Sequence, residues 1–151
     1  RRLLLATGAY ERPWPVPGWT LPGVMTTGAA QTLLRAYATA PGRRVLIAGN
    51  GPLNLQVACE LRRAGVEVVA LAEQAPPPRR IGAALAMAGA APRLVRDGVM
   101  QLASLARASV PVHYNHVLAH VEGEERARAA KLVRLGADGA PVEGSERRYE
   151  V

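Results

Sequence analysis

Six residues of this 151-residue chain have the types and spacing to do chemistry together: Gly49, Asn50, Gly51, Pro52, Leu53 and Glu73. Gly49 permits a sharp reversal. Gly51, with no Cβ, lets main-chain amides come close to an anion at a helix N-terminus, where unpaired N–H groups and the helix dipole favour negative charge. Pro52 suits the first helical turn, because the N–H it lacks would have had no intrahelical partner. An acid placed like Glu73, just beyond the next apolar run, accepts hydrogen bonds from a ribose 2′-hydroxyl. The set therefore points to a diphosphate joined to a ribose, in a dinucleotide or adenine nucleotide, cradled by amides near residues 49–53. Asn54 stands where a third glycine belongs. Its volume should keep the helix off the strand and force a small shift.

Such a cradle requires strand, turn, helix and strand in that order. Val45–Ala48 reads as a buried strand, Gly49-Asn50-Gly51 as a tight turn, Pro52–Ala64 as a helix and Val66–Ala72 as a second buried strand. Leu53, Val57, Leu61 and Ala64 recur at helical spacing as the sheet-facing stripe, with Glu60, Arg62 and Arg63 outward and Gly65 as the stop. Upstream, Arg1–Gly8 reads as a short apolar strand. Tyr10–Met25 is too rich in proline for regular structure, and Trp14, Trp19, Leu21 and Val24 should anchor it. Thr26–Thr39 predicts a helix capped by Thr26 or Thr27, with Leu33, Leu34 and Tyr37 on one side. Pro41-Gly42 ends it.

Downstream of Glu73, the loop Gln74–Arg80 leads to helices at Ile81–Ala90 and about Pro92–Ala108. A crossover of this length returns the chain to a parallel strand, for which Val110–Tyr114 is the candidate. Val117–Glu122, Ala129–Leu135 and Arg148–Val151 then resemble antiparallel strands joined by turns at Gly123–Arg128 and Ala137–Gly144. The expected fold class is α/β: a Rossmann-like three-layer dinucleotide-binding domain with a central parallel sheet and a small β-meander.

Composition excludes several function classes. Hydrophobic residues at 49% and charged residues at 21% fit a packed globular domain rather than a disordered chain. The net charge of +7 invites a nucleic-acid partner, but the cations are scattered in pairs such as Arg43-Arg44, Arg62-Arg63, Arg79-Arg80 and Arg147-Arg148. No basic stripe with interleaved aromatics exists, so no nucleic-acid partner is expected. No apolar run is long enough to span a membrane, and a cytoplasmic setting is expected. The single cysteine, Cys59, lies inside the central helix and reads as a packed thiol. His113, His116 and His120 have a spacing that suggests metal, but strand alternation puts only His116 and His120 on one face, and no acid or cysteine completes a set. Neither a metal site nor a catalytic side chain is expected. Glu122, Glu124 and Glu125 crowd a turn and should be solvated.

Leu3–Gly8 and Arg43–Glu73 together resemble the nicotinamide-binding middle portion of the two-dinucleotide-domain flavoproteins, the pyridine nucleotide-disulfide oxidoreductase superfamily. The segment GAYERPWPVPGWTLPGVMTTGAAQTLL is similar to the alpha (A) subunits of opine oxidases, hydrogen cyanide synthase and dye-linked proline dehydrogenase, and to sarcosine oxidase alpha chains. The resemblance implies that Ala6, Thr7 and Gly8 close part of an FAD domain whose glycine motif lies upstream of Arg1. It divides the chain into residues 1–40, a partial FAD-domain strand with connector and helix, and 41–151, an NAD(P)-binding domain, as a fragment of a longer protein unlikely to act alone. It further implies FAD in the full-length parent, contact with the rest of that FAD domain, and a hetero-oligomer with a second oxidoreductase subunit. The lone Cys59 argues against the branch with a cysteine pair in this domain. Glu73 favours NAD over NADP because a carboxylate repels a 2′-phosphate, although Arg79 and Arg80 could attract one. The implied function is the NAD(P) domain of an FAD-dependent oxidoreductase subunit that acts on an amine, opine or amino acid. The alternative is a non-catalytic module that assembles subunits or binds an adenine nucleotide structurally.

Overall fold

The computed structural model describes residues 3–5, 8, 10–75 and 81–151, and the side chains of 81–85 are left aside. Its parallel sheet holds β1 (Arg44–Gly49), β2 (Glu67–Glu73) and β3 (Val112–Tyr114), with β2 in the middle. The helices are α1 (Thr27–Tyr37), α2 (Pro52–Arg63), α3 (Ile81–Ala90) and α4 (Pro92–Arg107). β4 (His116–Glu122), β5 (Ala129–Arg134) and β6 (Arg147–Glu150) form a separate antiparallel meander. α2 and α4 cover one face of the parallel sheet, and the meander lies against the other through β1, β2 and β4. Three layers result, in the mixed α/β arrangement that the sequence predicts.

The helix-side core follows from the spacing in α2. Val57 and Leu61 are fully buried and meet Ile47, Val68, Leu71 and Leu105. Ala64, expected in the same stripe, is exposed because the helix already ends there, and Ala58 and Cys59 widen the buried face instead. Val66 N–H donates to Leu61 O and Gly65 N–H to Arg62 O, both at 3.0 Å, with Gly65 at φ +83°. This left-handed stop turns the chain straight into β2. α4 ends the same way at Ser109, φ +56°, where Val110 N–H donates to Leu105 O. A register shift between Val45 and Leu46 of β1 lets Val68 and Leu71 of β2 both join the helix-side core. Ala70 and Ala72 are fully buried outside that core, small residues suited to the close approach of a second layer.

The N-terminal segment departs from expectation in two places. Leu3, Leu4 and Leu5 pair with no strand among the described residues and are 83%, 89% and 77% exposed. A three-residue apolar run forms a strand only where a neighbouring edge accepts it, and none of the described strands pairs with it. The connector is ordered, but not by its tryptophans: Trp14 and Trp19 are exposed, and Val16 is the buried anchor. Val121 N–H donates to Pro17 O and Ala127 N–H to Pro22 O, both at 2.9 Å, which seats the connector on the meander. Gly18, φ +82°, is required there, since a Cβ would collide with Val121 O. Proline's lost N–H leaves its carbonyl free, so a proline-rich segment can still dock through its acceptors.

Candidate functional site at the glycine turn

The turn expected to cradle phosphate lies where β1 meets α2. Register places Gly49 directly beside Glu73, and Gln74 N–H continues the ladder by donating to Gly49 O at 2.9 Å. Gly51 caps α2 at φ +122°, a conformation that strains any residue with a side chain, and Pro52 is the first helical residue. Gly51 N–H donates to both carboxylate oxygens of Glu73, at 3.0 and 3.2 Å. Burial pushes the Glu73 carboxyl above its ordinary value, against the opposing pull of the Gly51 and Ala75 amides. Thus Gly49, Asn50, Gly51, Pro52, Leu53 and Glu73 gather at one bend of the chain.

Asn54 is only 6% exposed and packs against Gly49, its Nδ2 lying 2.9 Å from where a Cβ on Gly49 would stand. Its Oδ1 accepts a hydrogen bond from Thr27 Oγ1 at 3.0 Å. The N-terminus of α1 is thereby tied to that of α2. Thr26 caps α1 by accepting from Ala29 N–H, and Glu11 accepts from Gly28 N–H at 2.8 Å. Farther along the pair, Arg35 on α1 binds Glu60 on α2, holding the Glu60 carboxyl below the usual carboxylate range, with Gln56 and Gln31 helping. Glu60 therefore faces α1 rather than open solvent. The Asn54–Thr27 contact joins residues far apart in sequence, and no local pattern announces it.

Other residues singled out by the sequence fall elsewhere. Gly8 is described, at φ +74°, with open space around it, while Ala6, Thr7, Arg79 and Arg80 lie outside the described residues. Cys59 is buried, its thiol raised chiefly by desolvation, with Sγ 3.7 Å from Gln101 O. The histidines pair differently from the alternation argument. Asn115 at φ +56° breaks the strand in two, so His113 on β3 and His116 on β4 approach to 5.2 Å between rings, apart from His120. His113 Nε2 meets Tyr149 Oη at 2.5 Å. Among the described residues no three His, Cys, Asp or Glu side chains gather as a metal site would require. Glu122 is ion-paired to Lys131 and Arg148 across the meander, not merely solvated. No described helix is long and apolar enough to cross a membrane.

Parallel strands in this order, a helix starting at a glycine turn and an acid at the tip of β2 define a Rossmann-like α/β domain. No family model matches the chain. It is 41% identical over 122 residues to hydrogen cyanide synthase subunit HcnB of Pseudomonas aeruginosa, covering 81% of this chain and 26% of that protein. To an opine oxidase subunit of Rhizobium meliloti it is 37% identical over 154 residues, covering 99% of this chain and 31% of that protein. The chain thus spans between about a quarter and a third of the length of these two relatives. In fold it is similar to Mycobacterium tuberculosis FprA in complex with NADPH, with a TM-score of 0.61, 17% identity, and coverage of 97% of this chain and 47% of that one. The chain belongs to the pyridine nucleotide-disulfide oxidoreductase superfamily of flavoproteins.

Proposed function

We propose that this chain is the NAD-binding portion of an FAD-dependent oxidoreductase subunit that acts on an amine, opine or amino acid. The observation that carries the reading is the Glu73 carboxylate on the Gly51 N–H at the head of α2. That contact puts a helix N-terminus, which suits a diphosphate, and an acid, which suits a ribose, at one point. The fit to a dinucleotide is supported by the free conformation of Gly51 and by the Leu53 N–H, which has no backbone partner among the described residues. Bound NAD would accept or supply a hydride opposite a flavin held by the rest of the parent protein. This chain's own contribution is to bind and orient: the head of α2, with its unpaired Leu53 N–H, faces the diphosphate, and Glu73 fixes the adenosine ribose.

Glu73 favours NAD, because a half-buried carboxylate disfavours a second negative group at the 2′ position. The names of the relatives, one a synthase subunit and the other an oxidase subunit, support a hetero-oligomer with a second oxidoreductase subunit. The reading places the protein in the cytoplasm, where dinucleotides are abundant and the buried Cys59 thiol stays reduced. Calorimetric titration with NAD, NADP, ATP and FAD is the test. NAD should bind more tightly than NADP, and absence of binding by every adenine nucleotide at about 1 mM would remove the proposal. A second reading, an assembly module without ligand, draws on the same Glu73 contact, since the acid already satisfies Gly51. It requires that no nucleotide shift the melting temperature.

A further inference from the structure

The donors at the head of α2 are few. Pro52 has no N–H, the Gly51 N–H is taken by Glu73, and the Asn54 N–H donates to Gly51 O at 3.2 Å. Only the Leu53 N–H is left in the first helical turn, fewer than a diphosphate's oxygens can accept. Beside this turn stands the Asn54 side chain, nine-tenths buried, with its oxygen held by Thr27 and its Nδ2 against Gly49. The Nδ2 has no hydrogen-bond partner among the described residues. An amide fixed at one end and unpaired at the other is preorganised to donate.

We propose that Asn54 Nδ2 donates to the diphosphate, supplying from a side chain the contact that the sparse main-chain donors cannot, and that Thr27 is the positioning residue that aims it. The inference rests on the nucleotide site proposed above. Gly49 is then glycine for two reasons: it makes the turn, and it leaves room for the amide that crosses it. The position of the absent third glycine becomes a binding residue.

The test uses the 151-residue chain labelled with 15N. The Asn54 side-chain amide pair, assigned by its disappearance in N54D, should shift on adding inorganic pyrophosphate or ADP and stay in place with adenosine. By calorimetry, N54A and N54D should bind ADP about tenfold more weakly or worse, the effect of one lost hydrogen bond to a charged group, with adenosine unchanged. T27V should lose less, since the donor remains but its orientation is freed. The inference is overturned if ADP binds the wild type and both Asn54 variants equally, or if the variants lose ADP and adenosine alike, as a merely structural asparagine would cause. It is likewise overturned if the wild-type amide pair ignores pyrophosphate and ADP while ADP binds. A wild type that binds no nucleotide overturns the nucleotide site itself, and the inference with it.

Discussion

A carboxylate that already accepts the Gly51 N–H must turn or share its oxygens before it takes a ribose hydroxyl, and this makes Glu73 the residue whose replacement is most informative. Its carboxyl is raised by burial, so its folded form favours the proton. The stabilising contribution of such a group is complete below the ordinary carboxyl value and is lost as pH rises through the raised one. E73Q should therefore leave the melting temperature at pH 7 unchanged or higher, while NAD affinity falls about tenfold or more and the preference over NADP narrows. Paired melting and titration experiments separate the two effects. His113 works in the opposite direction. Burial lowers it first, with Arg147 and His116 adding repulsion, while Tyr149 meets its Nε2. A depressed histidine contributes stability that is complete above its ordinary value of about 6.5 and is lost as pH falls through the depressed one. Denaturant unfolding between about pH 7.5 and 5 should show that loss, and H113Q should flatten it.

Among the elements, α2 carries two demands: its core face holds the sheet and its N-terminus closes the glycine turn. L61A, at a fully buried position against Leu71 and Leu105, should cost about 2–5 kcal/mol in equilibrium unfolding. W14A, at a position 78% exposed, should stay within about 0.5 kcal/mol despite the size of the deletion. G18A should cost about 1–3 kcal/mol, because the added Cβ meets the Val121 carbonyl and the connector must lift from β4. The parallel strands, the helices and the crossover announced themselves in the sequence through apolar period, through stops at Pro41 and Gly65 and through a start at Pro92. The anchoring of the connector did not. Its ties are proline carbonyls and a glycine, which carry no hydrophobic signal, whereas its two tryptophans carry a strong signal and are exposed.

At the scale of the whole molecule, ligand and fold are linked. A nucleotide that binds the folded chain alone should raise its stability by about 2.7 kcal/mol at a hundred times its dissociation constant. For a chain of this size that is a rise of several degrees in Tm, readable by differential scanning fluorimetry. A flat response to NAD would favour the module without ligand. β1 has a strand neighbour on one side only among the described residues, and a groove of about 1000 Å³ runs along its other side between α1 and the meander. The chain by itself determined the α/β order, the glycine turn, the acid beyond the second strand and the family resemblance, because each is written in contiguous residues whose period and type are local physics. Tertiary structure alone decided that Glu73 sits on Gly51, that Asn54 crosses Gly49 to meet Thr27, and that His113 joins His116 and Tyr149. Most of those contacts span distant residues, the His113–His116 approach depends on the left-handed Asn115 between them, and only packing fixes which polar group each side chain finds.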